Sequence, residues 1–276
     1  MHIQRLASFS EDNFGGNPAG ILIADELPTS QEMQRLAAEI GFSETAFAMA
    51  QDDAWRVRYF SPESEVPFCG HATIALGAAL AMKCGNAVYR LTLNNAEITV
   101  EGRIDDGRLL AALQSPPTRS SSPPPELVTE ILDLFGYKPG DLDQRISPAL
   151  IHGGADHFLL ALNSRDALAR MNYDLDTGRS LMIREGWITI MLVYSEDMKV
   201  FHSRNAFASG GVFEDPATGA ATAAFCGYLK NIGWSHEGTI KLIQGEDMGM
   251  RSILYAEIPS QPGSSIRVSG EVRIME

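Results

Sequence analysis

EVPFCGHATIALGAAL at residues 65–80 and EDPATGAATAAFCGYL at residues 214–229 are two versions of one pattern, 149 positions apart. Glu65 matches Glu214, Pro67 matches Pro216 and Gly70 matches Gly219. Ala72, Thr73 and Leu80 match Ala221, Thr222 and Leu229. A single echo predicts two similar halves rather than a repeat array. Two halves create a seam, and seams are common ligand sites. Each copy predicts a helix rich in Ala and Gly, over about 70–83 and 216–231. Small residues on most faces make such a helix neither amphipathic nor strongly charged. Its expected place is inside a curved sheet, where small side chains allow close approach.

Strand-like runs surround both copies. Those at 2–9, 19–24, 45–50 and 55–61 precede the first, and those at 87–93, 97–101 and 109–113 follow it. Thr29 and Glu32 have capping-box spacing before the helical pattern Met33, Leu36, Ala37, Ile40, which Gly41 ends. The stretch SPPTRSSSPPP at 115–125 predicts a linker. Beyond it come a helix at 126–135 stopped by Gly136, strands at 149–152 and 157–162, and a short helix capped by Ser164. Strands at 188–194 and 199–202 lead to the second copy, and strands at 239–244, 252–257, 265–268 and 271–274 complete the chain. The expected fold class is α+β, with two pseudo-symmetric halves at 1–117 and 126–265. Each is a curved, mostly antiparallel sheet wrapped around a central helix.

Composition narrows the function. The 276 residues are 45% hydrophobic and 21% charged, with a formal net charge of −13. That balance argues against a nucleic-acid surface, which needs clustered Lys and Arg, and against docking on anionic membranes. No apolar run reaches the roughly 18 residues of a membrane span. The N-terminus lacks a secretory apolar segment. Cys69, Cys84 and Cys226 have no metal-type spacing and fit reduced thiols in a cytoplasmic protein.

The two helix starts carry the candidate chemistry. First-turn N–H groups lack intrahelical partners and sit at the positive dipole end, so Gly70 and Gly219 can admit an anion such as a carboxylate, or serve packing alone. Asp215 before Pro216 is a standard helix entry. Its match, Val66, is not acidic, which equally suits a role toward substrate. His71, matched by Ala220, could offer a neutral imidazole beside a bound anion. Cys69 is either a thiol at a helix start or a small buried residue; its match, Thr218, removes any two-thiol mechanism. Glu44 lies in FSETAF between Phe42 and Phe47, either as a proton shuttle among apolar neighbours or as a solvent-facing turn residue.

Taken in order, GNPAG at 16–20, FSETAF at 42–47, VRYFSPESEVPFCGHAT at 57–73, EDPATG at 214–219 and QGEDMG at 244–249 span nearly the whole chain. This set resembles the phenazine-biosynthesis isomerase (PhzF-like) family. The resemblance implies the fold of diaminopimelate epimerase, a site between the halves, a final strand (266–276) returning to the first half, and a homodimer. It implies a cofactor-free isomerase that moves a proton within a small carboxylic acid. Glu44 would carry the proton, and His71 and Asp215 would bind and polarise the substrate. The backbone at Gly70, Ala72, Gly219 and Ala220 would hold its carboxylate. No metal is implied. Ala220 departs from the family's serine, and MGMRS at 248–252 is altered too. Both departures point to a different small acid, or to loss of catalysis. Two other readings stand beside it. One is a racemase or epimerase with two bases, Glu44 or Cys69 with Asp215. The other is a non-catalytic small-acid-binding protein.

Overall fold

The computed structural model describes residues 2–235, 237–261 and 263–276. The chain divides into two compact units, Met1–Gln114 with Ser269–Glu276, and Ser115–Val268.

The first unit contains β1 (Gln4–Ser10), β2 (Asn17–Ala24), α1 (Ser30–Ile40), β3 (Thr45–Gln51), β4 (Ala54–Phe60), β5 (Glu65–Val66), α2 (Gly70–Cys84), β6 (Ala87–Thr92), β7 (Glu97–Asp105) and most of β8 (Arg108–Pro117). Antiparallel pairs β1–β2, β3–β4, β6–β7 and β7–β8 alternate with parallel pairs β2–β3 and β4–β6. The sheet is therefore mixed. Parallel neighbours need a crossover, and α1 and α2 supply the two. Thr29 caps α1 through its hydroxyl, which accepts from the Glu32 N–H at 3.2 Å, and Gly41 ends the helix at φ 72°. The reciprocal half of the expected capping box gives way to an ion pair, because the Glu32 carboxylate reaches Arg35 at 2.7 Å.

In the second unit come β9 (Arg119–Ser121), α3 (Pro125–Phe135), β10 (Ala149–His152), β11 (Asp156–Leu162), α4 (Arg165–Ala169), α5 (Leu175–Glu185), β12 (Thr189–Ser195), β13 (Val200–Ala206), β14 (Glu214–Asp215), α6 (Gly219–Asn231), β15 (Thr239–Gln244) and β16 (Ser252–Glu257). The same order of pairings recurs: β10–β11 antiparallel, β11–β12 parallel, β12–β13 antiparallel, β13–β15 parallel, β15–β16 antiparallel. The last strand, β17 (Ser265–Ile274), pairs antiparallel with β1 through residues 271–274.

Two expectations need correction. The stretch 115–125 is not a free linker: β8 runs to Pro117, β9 pairs with β10, and Pro125 opens α3. Backbone pairing holds the proline- and serine-rich segment wherever proline does not remove a needed donor. The sequence reading also passed over α5, whose apolar pattern is sparse and interrupted by Gly178. That glycine is required, since a Cβ there would stand 2.6 Å from the Tyr173 ring.

Helix α2 is buried continuously from His71 to Ala81 and packs against β1, β2, β3, β6 and β7. Such contact is possible only with small residues. A Cβ on Gly102 of β7 would lie 2.0 Å from the Gly77 carbonyl oxygen of α2. We expect Gly102→Ala to destabilise the protein by about 3 kcal/mol or more, because backbone faces backbone and no side chain can move aside; urea unfolding measures it.

His157 on β11 is fully buried, and its Nδ1 lies 2.8 Å from the Thr189 hydroxyl. Burial pulls its pKa down to about 3. Its folded pKa lies below its unfolded value, so the unfolded chain binds the extra proton as pH falls below about 6.5. Stability contributed by the neutral ring is therefore present above that pH and lost on acidification toward pH 3. His157→Gln should flatten this limb of a stability-versus-pH curve measured by urea unfolding.

Candidate active site

Within the first unit the start of α2 is fixed from several sides. The Cys69 carbonyl accepts the Thr73 N–H at 3.0 Å and the Thr73 hydroxyl at 2.6 Å. Thr73 is in turn bonded to the Tyr59 hydroxyl at 2.6 Å. Burial pushes the Tyr59 pKa far up, so the phenol stays protonated. The Ser8 hydroxyl donates to the His71 carbonyl at 2.7 Å. Ser8 adjoins a bulge in β1, where Phe9 is buried at φ 64° and the register against β17 shifts. Gly16, of the GNPAG motif, approaches the same place; a Cβ on it would meet the Ser8 carbonyl at 2.8 Å.

These contacts aim the His71 ring. Its Nε2 lies 3.5 Å from Glu44 Oε2 and 3.4 Å from the Ser43 hydroxyl, and its Nδ1 lies 3.3 Å from the Cys69 sulfur. The imidazole is buried and the Glu44 side chain is 15% exposed. Glu44 precedes β3, and its carbonyl accepts the Gly20 N–H at 3.3 Å, which ties it to β2. Its carboxylate is thus beside the imidazole and largely removed from water. Gly70 and Ala72 share this turn, and α2 has no side-chain cap at its N-terminus.

The second unit carries a separate polar cluster. Asp215 is buried in β14, where it pairs with Asn205 of β13. It is not the N-cap that its sequence position suggests, and Pro216 is not the first helical residue. Strand pairing draws Asp215 into the sheet, and α6 begins only at Gly219, after Thr218. The Thr218 hydroxyl donates to Asp215 Oδ2. Gln244 braces the turn: its amide donates to the Asp215 carbonyl at 2.7 Å, and its Oε1 accepts the Thr218 N–H at 3.1 Å. Gly219 and Ala220 open the helix, again without a side-chain cap.

In each unit an arginine pairs with a glutamate of the two-residue strand that precedes the buried helix. Arg58 on β4 forks onto Glu65 of β5 at 2.7 and 2.5 Å. Arg204 on β13 forks onto Glu214 of β14 at 3.1 and 2.6 Å, and also donates to the Ala169 carbonyl. In each case the arginine stands two residues before the strand position opposite its glutamate, Phe60 against Glu65 and Ala206 against Glu214. Burial separates the two pairs: side-chain exposure is 20% and 28% in the first, 8% and 3% in the second.

The sequence reading had named Glu44, His71, Gly70 and Ala72, and the fold gathers these four in one unit. It had named Asp215, Gly219 and Ala220, and the fold gathers these in the other. Missed were Ser8, Ser43, Tyr59 and Gln244. Ser43, Tyr59 and Gln244 lie inside the motifs FSETAF, VRYFSPESEVPFCGHAT and QGEDMG without being singled out there, and Ser8 lies in none of them. Glu214→Ala should cost about 3–5 kcal/mol by stranding a buried guanidinium. Glu65→Ala, in a wetter pair, should cost about 1 kcal/mol. Parallel urea titrations would separate the two.

The family model for phenazine biosynthesis-like proteins matches residues 6–276. The chain belongs to that family. It is 29% identical to an uncharacterized isomerase of Clostridium acetobutylicum, over 99% of this chain and 96% of that one. It is 26% identical to the trans-2,3-dihydro-3-hydroxyanthranilate isomerase of Pseudomonas fluorescens, over 95% of this chain and 92% of that one. A solved phenazine biosynthesis protein of the PhzF family from Bacillus anthracis shares its fold, with a TM-score of 0.84, 23% identity and coverage of 99% of this chain and 96% of that one. A probable proline racemase of Agrobacterium radiobacter shares the fold more distantly, with a TM-score of 0.66 at 12% identity and coverage of 99% of this chain and 90% of that one.

Proposed function

We propose that this member of the phenazine biosynthesis-like family is an isomerase that needs no cofactor and moves a proton within a small carboxylic acid, with Glu44 as the proton carrier. One observation carries the reading: the Glu44 carboxylate stands 3.5 Å from the His71 imidazole, at 15% exposure, beside an uncapped helix start. A carboxylate takes a proton from carbon efficiently when the negative charge left behind is stabilised by nearby donors. The imidazole, the Ser43 hydroxyl and the N–H groups at Gly70 and Ala72 are donors of that kind. Protonated Glu44 then returns the proton at another carbon, so one group serves first as base and then as acid.

Asp215 is assigned to substrate binding, with Gly219 and Ala220 offering backbone N–H groups to a carboxylate. The bond from Thr218 and the brace from Gln244 hold Asp215 in place. Thr218 matches Cys69 in the first unit, and its hydroxyl is engaged with Asp215, so a second thiol base has no residue to act through. The recurrent order of strand pairings, and the burial of α2 and α6, support two pseudo-symmetric halves that each wrap a sheet around a helix. The proposed location is the cytoplasm and the proposed assembly a homodimer, which light scattering should report as about twice the 30.0 kDa chain mass.

The substrate class follows from the mechanism: a carbon acid whose conjugated system runs to a carboxylate. Trans-2,3-dihydro-3-hydroxyanthranilate is the first compound to try, given the named relatives. Ala220, where the resemblance implies serine, favours a different acid of the same kind. Mass spectrometry in D₂O across small unsaturated and hydroxylated acids should find one that exchanges carbon-bound hydrogen. Glu44→Gln should then lower the exchange rate by about 10²–10⁴-fold while ligand binding survives. An unchanged rate in that variant would remove Glu44 from the chemistry.

A further inference from the structure

Cys69 has no part in the proton transfer above, yet its sulfur lies against the same imidazole. The His71 ring presents Nε2 at 3.9 Å from that sulfur and at 3.5 Å from Glu44 Oε2. One ligand atom from each of Glu44, Cys69 and His71 falls within 4.8 Å of the other two. Four-coordinate Zn²⁺ holds sulfur at about 2.3 Å and nitrogen or oxygen at about 2.0 Å. At tetrahedral angles those lengths place nitrogen and oxygen about 3.3 Å apart, and nitrogen and sulfur about 3.5 Å apart. The imidazole–carboxylate and imidazole–sulfur separations exceed these ideals by only a few tenths of an ångström, and the carboxylate and sulfur lie within 4.8 Å of each other, so side-chain rotations can close the triangle.

We propose that Glu44, Cys69 and His71 form a binding site for a thiophilic divalent cation such as Zn²⁺, and that the bound cation silences the isomerase by capturing the Glu44 carboxylate. The silencing rests on the proton-carrier reading of Glu44; the binding rests on geometry alone. Sulfur, nitrogen and oxygen together select Zn²⁺ over Mg²⁺ and Ca²⁺, which require oxygen ligands. Three protein ligands leave a fourth position open, the arrangement of an exchangeable rather than a purely structural site. The ligands are preorganised: Cys69 and His71 lie on the fixed first turn of α2, the Ser8 hydroxyl holds the His71 carbonyl, and the Glu44 carbonyl is tied to Gly20. On binding, the Cys69 thiol loses its proton to solvent as the metal–sulfur bond forms, and no oxidation state changes.

The test uses metal-free, reduced protein carrying Cys84→Ser, which removes the exposed thiol. Zn²⁺ is titrated against a colorimetric chelator, and Co²⁺ is followed by absorption. The expected result is one equivalent per chain and a thiolate-to-cobalt charge-transfer band. Cys69→Ser should abolish the band and weaken Zn²⁺ binding by more than about tenfold, a loss that even indirect partners of a metal ligand can cause. Glu44→Gln should keep the band and weaken Zn²⁺ binding by about tenfold or more. Circular dichroism checks that each variant folds, and His71→Gln provides a second ligand deletion if Cys69→Ser does not. Lack of stoichiometric uptake, a band that survives Cys69→Ser, or unchanged affinity in Glu44→Gln would overturn the proposal. His202, held between Glu196 and Glu246, is the competing site without sulfur, and loss of binding in His202→Ala alone would also overturn it. Failure of Glu44 as proton carrier would appear in deuterium exchange and leave these absorption results unchanged.

Discussion

The carbonyl of Gly77 lies 2.0 Å from where a Cβ of Gly102 would stand, so α2 and β7 meet backbone to backbone. Packing at that distance leaves the helix no freedom to slide or rotate. The first turn, with Cys69, Gly70 and His71, is therefore placed by the helix body as much as by its own bonds. Protein interiors are dense enough to transmit such a constraint without loss. The second unit has its own close approaches: a Cβ on Gly153 would stand 2.6 Å from the Ala224 nitrogen of α6, and one on Gly227 would stand 2.3 Å from the Thr118 hydroxyl. Alanine and glycine in these helices are a geometric requirement, and the polar turns at their starts depend on it.

Charge does the corresponding work at the strand ends. Each two-residue strand before a buried helix is held by an arginine fork from the neighbouring strand, Arg58 on Glu65 and Arg204 on Glu214. A fork of this kind fixes orientation as well as distance, because a planar guanidinium matches a planar carboxylate. The register of β5 and β14 then determines where the chain enters the helix. Asp215 is aimed by this device, one residue after the Glu214 anchor. In the first unit the same position is Val66, and the acidic group near the helix start comes instead from Glu44, at the edge of β3.

The units differ where their polar interiors are finished. Tyr59 on β4 caps Thr73 through its hydroxyl. At the equivalent place in the second unit, Asn205 and Thr222 are buried side chains whose polar atoms have no protein partner among the described residues. A phenol reaches the helix hydroxyl across a gap that an amide leaves open. Matching strand order therefore does not bring matching hydrogen bonds, and the asymmetry is concentrated beside the helix starts.

Local chemistry made much of the architecture legible in the sequence. Left-handed glycines end α1 and α3 at Gly41 and Gly136, hydroxyls cap α1 and α4 at Thr29 and Ser164, and two small-residue helices announce themselves by composition. Those effects act within a few residues, so a linear reading detects them. The parallel pairs, the strand pairing that absorbs the proline-rich segment, and the removal of Asp215 from its helix-cap role arise from contacts between segments far apart in the chain. Local chemistry offers Glu44 and His71 as separate candidates, from a turn and from a helix start, and only the family resemblance joins them in one site. The thiol and imidazole are near neighbours along the chain, whereas the packed α2, the bulge at Phe9 and the Ser8 bond to the His71 carbonyl are what set that imidazole against the Glu44 carboxylate. Residue types and helix ends were the sequence's to determine, because neighbours along the chain dictate them; the distance between catalytic candidates belonged to the tertiary structure, because no local spacing encodes it.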